Sequence, residues 1–197
     1  MLIPVCLDDP KTGLSSVLGL EERRELTRWM LRRVVEVAGS FGSVFVVSPN
    51  RIDVDGASHI YSDRGLNPDL EMGIDRVGLP VLILPCDIPL IEKSDLGCLV
   101  GCGEDVVISP GDRGGTNGLL LRKRIKLQYN GESYRKHTEN ALEKGFSVKS
   151  VCLNNVFRDI DSPCDLSYLL KFVIENNLEL NELSEEIVGK IDLRCRP

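Results

Sequence analysis

Short runs rich in β-branched and apolar residues recur at Leu2–Val5, Ser43–Ser48, Val81–Pro85, Asp105–Ser109, Gly118–Leu121 and Val148–Leu153, with longer stretches of helical period between several of them. This alternation predicts an α/β chain with a largely parallel sheet covered by helices. The clearest helix runs from about Glu21 to Ala38, where Leu26, Trp29, Met30, Val34 and Val37 recur at spacings of three and four. The stripe is expected to pack on the sheet, which makes Trp29 and Met30 core residues rather than parts of a cofactor box. A second helix is expected to follow Ser162-Pro163-Cys164-Asp165 and run to about Asn176: Ser162 caps, Pro163 suits the first helical position, and Asp165 stands where a capping-box acid belongs. Ser133 is placed to open a third helix, over about Tyr134 to Lys144. Leu178–Pro197 mixes acids with Leu and Ile, and fits either a terminal helix on the domain or a contact with a second subunit, so a homodimer stays open.

The chain has 197 residues, enough for one sizeable core that buries roughly 70% of the unfolded surface. No repeat, low-complexity segment or boundary divides it, and residues 1–197 read as one domain with 178–197 as an extension. A net charge of -6 argues against a nucleic-acid partner, because binding a polyanion relies on clustered Lys and Arg. The seven cysteines form no CxxC pair, so they read as reduced thiols of a cytoplasmic protein rather than a disulfide framework or zinc site. No stretch approaches the length of a membrane span, and Met1–Val5 lacks the basic leader of a secretory signal.

Candidate chemistry begins at Asp87, directly after an apolar run and between Pro85 and Pro89, which stiffen the turn leaving the sheet. The carboxyl end of a central strand is where open α/β sheets bind ligands. An aspartate there also serves as an ordinary cap or turn former. The second acidic site tips the balance: in Asp159-Ile160-Asp161 an extended backbone would project both carboxylates on one face and bury Ile160. Hard oxygen ligands from two such strand ends suit Mg²⁺ shared with substrate phosphates.

Phosphate-handling loops lie between these acids. Asp8–Val17 follows the first strand and precedes the long helix, the usual phosphate position, yet it carries neither G-x-G-x-x-G nor a Walker A motif. Lys11 is its charge for the β and γ phosphates, or else a solvated loop lysine. In Asp112-Arg113-Gly114-Gly115-Thr116-Asn117 the paired glycines would let backbone N–H groups approach an anion, although a plain hairpin turn also explains them. Asn130-Gly131-Glu132-Ser133 leads into the third helix, whose N-terminus would hold a second phosphate or carboxylate. His137 reads as a structural histidine more readily than a catalytic one.

Taken in order, Lys11-Thr12 with Leu14, Leu66-Asn67, Leu84-Pro85-Cys86-Asp87-Ile88-Pro89-Leu90, Gly114-Gly115-Thr116-Asn117, Ser133-Tyr134 with His137 and Ala141, and Asp159-Ile160-Asp161 resemble the 2-phospho-L-lactate guanylyltransferase family of coenzyme F-420 biosynthesis. The resemblance covers roughly residues 3 to 170. It implies a single Rossmann-like three-layer domain of the nucleotide-diphospho-sugar transferase type, and transfer of GMP from GTP to 2-phospho-L-lactate with release of pyrophosphate. Phosphoenolpyruvate or 3-phosphoglycerate are acceptors in related members, so the partners expected are GTP and a small phosphorylated three-carbon acid. On this reading Asp87 and Asp161, with Asp159, hold Mg²⁺; Lys11 and Thr12 meet the triphosphate; Ser48, Pro49, Leu66 and Asn67 surround base and ribose; and Thr116, Asn117, Gly131 and Ser133 receive the acceptor. Guanine preference comes from the resemblance alone. Cys6 stands where the family usually has a lysine and Gly13 where it has an arginine, so Lys11 carries more of the triphosphate charge. Restoring arginine at position 13 is therefore expected to tighten GTP binding. Two alternatives stay open: a nucleotidyltransferase for a sugar phosphate or a molybdopterin, and a non-catalytic nucleotide-binding protein of this fold.

Overall fold

The computed structural model describes residues 1–175 together with Leu183, Ile187 and Gly189. Seven strands form one sheet: β1 (Leu2–Pro4), β2 (Val44–Ser48), β3 (Ala57–Tyr61), β4 (Val81–Ile83), β5 (Val106–Pro110), β6 (Thr116–Leu121) and β7 (Val148–Ser150). Their spatial order is β3-β2-β1-β4-β6-β5-β7. β6 alone runs antiparallel to its neighbours, pairing Ile83 with Leu119 on one side and Ile108 with Leu119 on the other. The remaining pairs are parallel, as the pattern predicts.

The central strands are buried on both faces, which is why they read as continuous apolar runs. Ile3, Val46, Leu82, Val107 and Leu120 point to one face and meet α1 (Leu20–Gly39), α3 (Lys93–Gly101) and α5 (Asn154–Phe157). Leu2, Val47, Ile83, Ile108 and Leu119 point to the other, against α2 (Leu66–Val77) and α4 (Ser133–Glu143). The layers are therefore helix, sheet, helix, with α6 (Pro163–Glu175) added outside α1.

Helix α1 corrects one expectation. Leu31, Val34, Val35 and Ala38 do pack on the sheet, but Leu26, Trp29 and Met30 turn away from it. They join Leu166, Leu169, Leu170 and Val173 of α6 in a separate cluster, which also buries Ile160. A twenty-residue helix is long enough to serve both partners with different turns of one broad apolar surface. The expected cap of α6 is present: Ser162 Oγ donates to Asp165 Oδ2 at 2.6 Å, and the Asp165 N–H donates back to Ser162 Oγ at 3.3 Å.

The sequence pattern passes over β3, α2, α3 and the short α5. β3 is an edge strand whose Ser58 and His59 break the apolar run, while Pro68 and Gly73 disguise α2. Gly73 packs closely there: a Cβ would lie 3.0 Å from a Leu2 methyl, which would have to shift. The expected terminal stretch Leu178–Pro197 lies outside the described residues, save that Leu183 and Ile187 are buried in the α1–α6 cluster. Among the described residues, no helix is long and apolar enough to cross a membrane.

The second cluster makes Trp29 a testable core residue. Trp29→Ala is expected to lower the unfolding free energy by about 3–5 kcal/mol, read as a fall in the urea midpoint with unchanged slope.

Candidate active site

The carboxyl ends of the parallel strands converge with the start of antiparallel β6, and the acidic residues collect at that edge. Asp87 follows Leu84-Pro85-Cys86 out of β4. Asp159-Ile160-Asp161 is not the strand end that its alternation suggests; it is coil between α5 and α6. Its position is set otherwise. The Ile160 N–H donates to the Asp87 carbonyl at 3.0 Å, and the Ile160 side chain is fully buried. Arg158 stacks over the Tyr168 ring at 4.4 Å, tying the segment to α6. Asp159 and Asp161 thus flank a buried anchor, and one carboxylate oxygen from each of Asp87, Asp159 and Asp161 lies within 4.8 Å of the others.

Lys11 crosses this cluster. Its Nζ pairs with Asp87 Oδ2 and donates to Asp161 Oδ1 at 2.7 Å, with a side chain only 8% exposed. Burial opposes the charged amine, but Asp87 and Asp161 outweigh it and hold the ammonium above the usual lysine range. The Lys11 backbone is left-handed, φ 54° and ψ 47°, which costs a non-glycine residue about 1–2 kcal/mol. The loop that carries it is tied to α1: Arg24 Nε donates to the Leu7 carbonyl at 2.7 Å, and Arg23 Nη1 donates to Asp9 Oδ1 at 2.7 Å and to the Pro10 carbonyl.

Arg113 meets Asp161 through its other carboxylate oxygen and also holds Asp165. Nη1 donates to Asp161 Oδ2 and Nη2 to Asp165 Oδ2, both at 2.9 Å. The result is a line of alternating charge, Asp87–Lys11–Asp161–Arg113–Asp165. Asp159 is pushed up to about 7 by burial, by its hydrogen bond with Asp161 and by the nearby Asp87 charge. Asp161 moves the other way: burial would raise it, but Asp159, Lys11 and Arg113 hold it below the usual carboxylate range.

Lys11, Pro49, Leu66 and Asp87 share the wall of one cavity of about 430 Å³, together with Cys6 and Cys86. Burial and the adjacent Asp87 push the Cys86 thiol up to about 12, so it remains protonated. Other expected site residues have protein partners. Ser48 Oγ accepts from the Asn50 N–H at 3.0 Å, and Asn67 Oδ1 from the Tyr129 N–H at 2.9 Å. Thr12 is exposed on a 3-10 turn, Thr12–Leu14. Asn117 is buried and donates to the Val156 carbonyl at 2.9 Å, which holds α5 in place. Thr116 Oγ1 lies 3.0 Å from His137 Nδ1, and the His137 Nε2 accepts from the Gln128 N–H at 2.9 Å. The imidazole is therefore neutral with its proton on Nδ1, a structural role as the sequence suggests. Gly131, with φ 58°, leads into Ser133 at the start of α4, and the Tyr134 N–H donates to the Gly114 carbonyl at 3.2 Å. The first turn of α4 and the Gly111–Gly115 turn are thus in contact. Arg113 itself was passed over in favour of the glycines after it; its signal was an arginine one residue before them, in a chain short of site cations.

A family model described as guanylyl transferase CofC like matches residues 1–179. The chain belongs to this family. It is 37% identical to the 2-phospho-L-lactate guanylyltransferase of Archaeoglobus fulgidus over 171 residues, 86% of this chain and 82% of that protein. To the protein of the same name from Haloarcula marismortui it is 36% identical over 177 residues, covering 86% and 84%. Two solved structures share the fold. One is of a proposed nucleotide-diphospho-sugar transferase from Desulfovibrio desulfuricans G20, with TM-score 0.74, 16% identity, and coverage of 98% and 96%. The other is of a cytidylyltransferase from Leptospira borgpetersenii, with TM-score 0.57, 14% identity, and coverage of 98% and 91%. The seven-stranded mixed sheet is accordingly the nucleotide-diphospho-sugar transferase fold, in a guanylyl transferase family member.

The acids of this guanylyltransferase fit a divalent cation. Besides the three converging oxygens, Asp87 Oδ1 is buried with no hydrogen-bond partner, the condition of a carboxylate oxygen that awaits a cation.

Gly13 reverses an expectation. A Cβ there would lie 2.3 Å from the Asp161 carbonyl oxygen, so the 3-10 turn packs on the acid segment only because position 13 has no side chain. Arginine at 13 would displace Asp161 before it could reach a phosphate. Gly13→Arg and Gly13→Ala are both expected to weaken Mn²⁺ binding by calorimetry and to lower stability by about 1–3 kcal/mol, the reverse of a gain in GTP affinity.

Burial lowers the His137 pKa to about 4, from an ordinary value near 6.5. Because the folded value lies below the unfolded one, the stability tied to neutral His137 is full above about pH 6.5 and falls away towards pH 4. The loss should reach about 3 kcal/mol across that window. Denaturation at a series of pH values checks it, with His137→Gln expected to flatten the dependence in that window.

Proposed function

We infer that this chain transfers GMP from GTP to 2-phospho-L-lactate, giving lactyl-2-diphospho-5'-guanosine and pyrophosphate. The observation that carries the reading is the Lys11 ammonium set between Asp87 and Asp161 on the wall of the 430 Å³ cavity. Triphosphate charge and metal ligands meet there, at the strand ends where the fold binds nucleotides.

The residues match what this chemistry asks. A phosphate monoester has a second pKa near 6, so the attacking oxygen is ionised at neutral pH. No strong base is needed, and neither nitrogen of His137 is free to act as one. The acceptor oxygen bonds to the α phosphorus of GTP, the bond from that phosphorus to the bridging oxygen breaks, and pyrophosphate leaves with the electron pair. The protein's task is to bring two anions together and balance the charge of the leaving group. Asp87, Asp159 and Asp161 would hold Mg²⁺, which when bound neutralises the triphosphate and polarises the transferred phosphoryl group. Lys11 adds a fixed positive charge on the cavity side. Ser48-Pro49 and Leu66-Asn67 are the segments proposed for ribose and base, with Pro49 and Leu66 as apolar wall. Gly131 and Ser133, at the start of α4, are proposed for the acceptor.

Incubation with GTP, Mg²⁺ and 2-phospho-L-lactate is expected to release pyrophosphate in a coupled phosphate assay. Asp87→Asn should reduce turnover at least about 100-fold while the circular dichroism spectrum is retained. Failure of every phosphorylated three-carbon acid to support pyrophosphate release would overturn the transfer reading, and turnover indifferent to Asp87→Asn would overturn the metal assignment.

A further inference from the structure

Two cations touch the acid cluster, and they use different oxygens of Asp161. Lys11 is buried and lines the cavity, whereas Arg113 is 51% exposed and does not. Arg113 sits on the turn between β5 and β6, and the Gly114 carbonyl of that turn accepts the Tyr134 N–H from the first turn of α4. Arg113 therefore reaches Asp161 from a turn that is itself bonded to the start of α4. A guanidinium has five N–H donors, and Arg113 gives one bond each to Asp161 and Asp165. Asp112 and Asp159 lie 4.0 Å from Nε and Nη1, beyond hydrogen-bond reach, so the donors not given to Asp161 and Asp165 can turn to a ligand.

We propose that Arg113 binds the acceptor, its guanidinium taking the phosphate or carboxylate of the phosphorylated acid. This rests on the guanylyl transfer reading above. The chemistry favours it: in an in-line transfer the incoming phosphate and the departing pyrophosphate lie on opposite sides of the α phosphorus, and each anion needs a cation. Lys11 serves the triphosphate side. On the acceptor side, Arg135 is committed to Glu132 and Glu139, leaving Arg113 as the guanidinium with donors to spare beside the cluster. Asp165 aims it: this carboxylate is fixed by the Ser162 N–H and hydroxyl, and holds one end of the guanidinium still.

The test is steady-state kinetics and calorimetry on Arg113→Gln and Arg113→Lys beside the unmodified protein. The KM for 2-phospho-L-lactate should rise about 10–100-fold in Arg113→Gln, as expected for loss of a charge-assisted hydrogen bond, and less in Arg113→Lys. The KM for GTP and the Mn²⁺ affinity measured without acceptor should stay within about twofold. Mn²⁺ affinity falling in step with the acceptor would overturn the proposal, since Arg113 would then act only by positioning Asp161. An unchanged acceptor KM would overturn it as well. Calorimetric titration of 2-phospho-L-lactate, phosphoenolpyruvate and 3-phosphoglycerate into the protein with Mg²⁺ and a non-hydrolysable GTP analogue separates the two layers. If the unmodified protein binds none of them, the guanylyl transfer reading fails and the Arg113 role with it. If it binds one and Arg113→Gln binds it equally, only the Arg113 role fails.

Discussion

The Lys11 ammonium bridging Asp87 and Asp161 is the contact on which the rest of the site depends. Several carboxylates close together at the end of a sheet would repel one another and lose hydration, a cost that grows as water is excluded. Lys11 removes that repulsion from within, and Arg113 extends the alternation outward to Asp165. The ion pair also compensates for a left-handed lysine backbone and binds the first loop to a segment 150 residues away. Neutralising Lys11 would leave Asp87 without a cation, whereas Asp161 would keep Arg113, so the cost of losing the lysine falls mainly on Asp87.

Sheet topology explains why so many distant segments reach this corner. Parallel strands deliver Asp87 and the loop of Lys11 at their carboxyl ends. The reversal of β6 brings its opposite end there too, so that the β5–β6 turn with Arg113 lies beside Asp161 rather than across the sheet. The same turn receives the start of α4, and Asn117 beneath it holds α5, which in turn leads to Asp159-Ile160-Asp161. Thr116, Asn117 and His137 are hydrogen-bonded into the frame around the site. This division of labour suits a reaction whose nucleophile arrives ionised: charges must be placed, while no proton has to be taken.

The sequence by itself determined the layers and the acids. Alternation and helical period located six of the seven strands and helices α1, α4 and α6, most of which bury continuous apolar surface; β3, α2, α3 and the four-residue α5 carried too little of that signal. The order of short motifs disclosed the family, and the pairing of Asp87 with Asp159-Ile160-Asp161 picked out acids that the fold brings together. What only the tertiary structure decided was which charges face which. The run at 159–161 gained its geometry from a bond between the Ile160 N–H and the Asp87 carbonyl, not from a strand of its own. Arg113 acquired a place in the site through antiparallel β6, and Gly13 proved to be a point of close approach to the Asp161 carbonyl rather than a missing arginine. Contacts of this kind join residues far apart along the chain, and local periodicity carries no record of them.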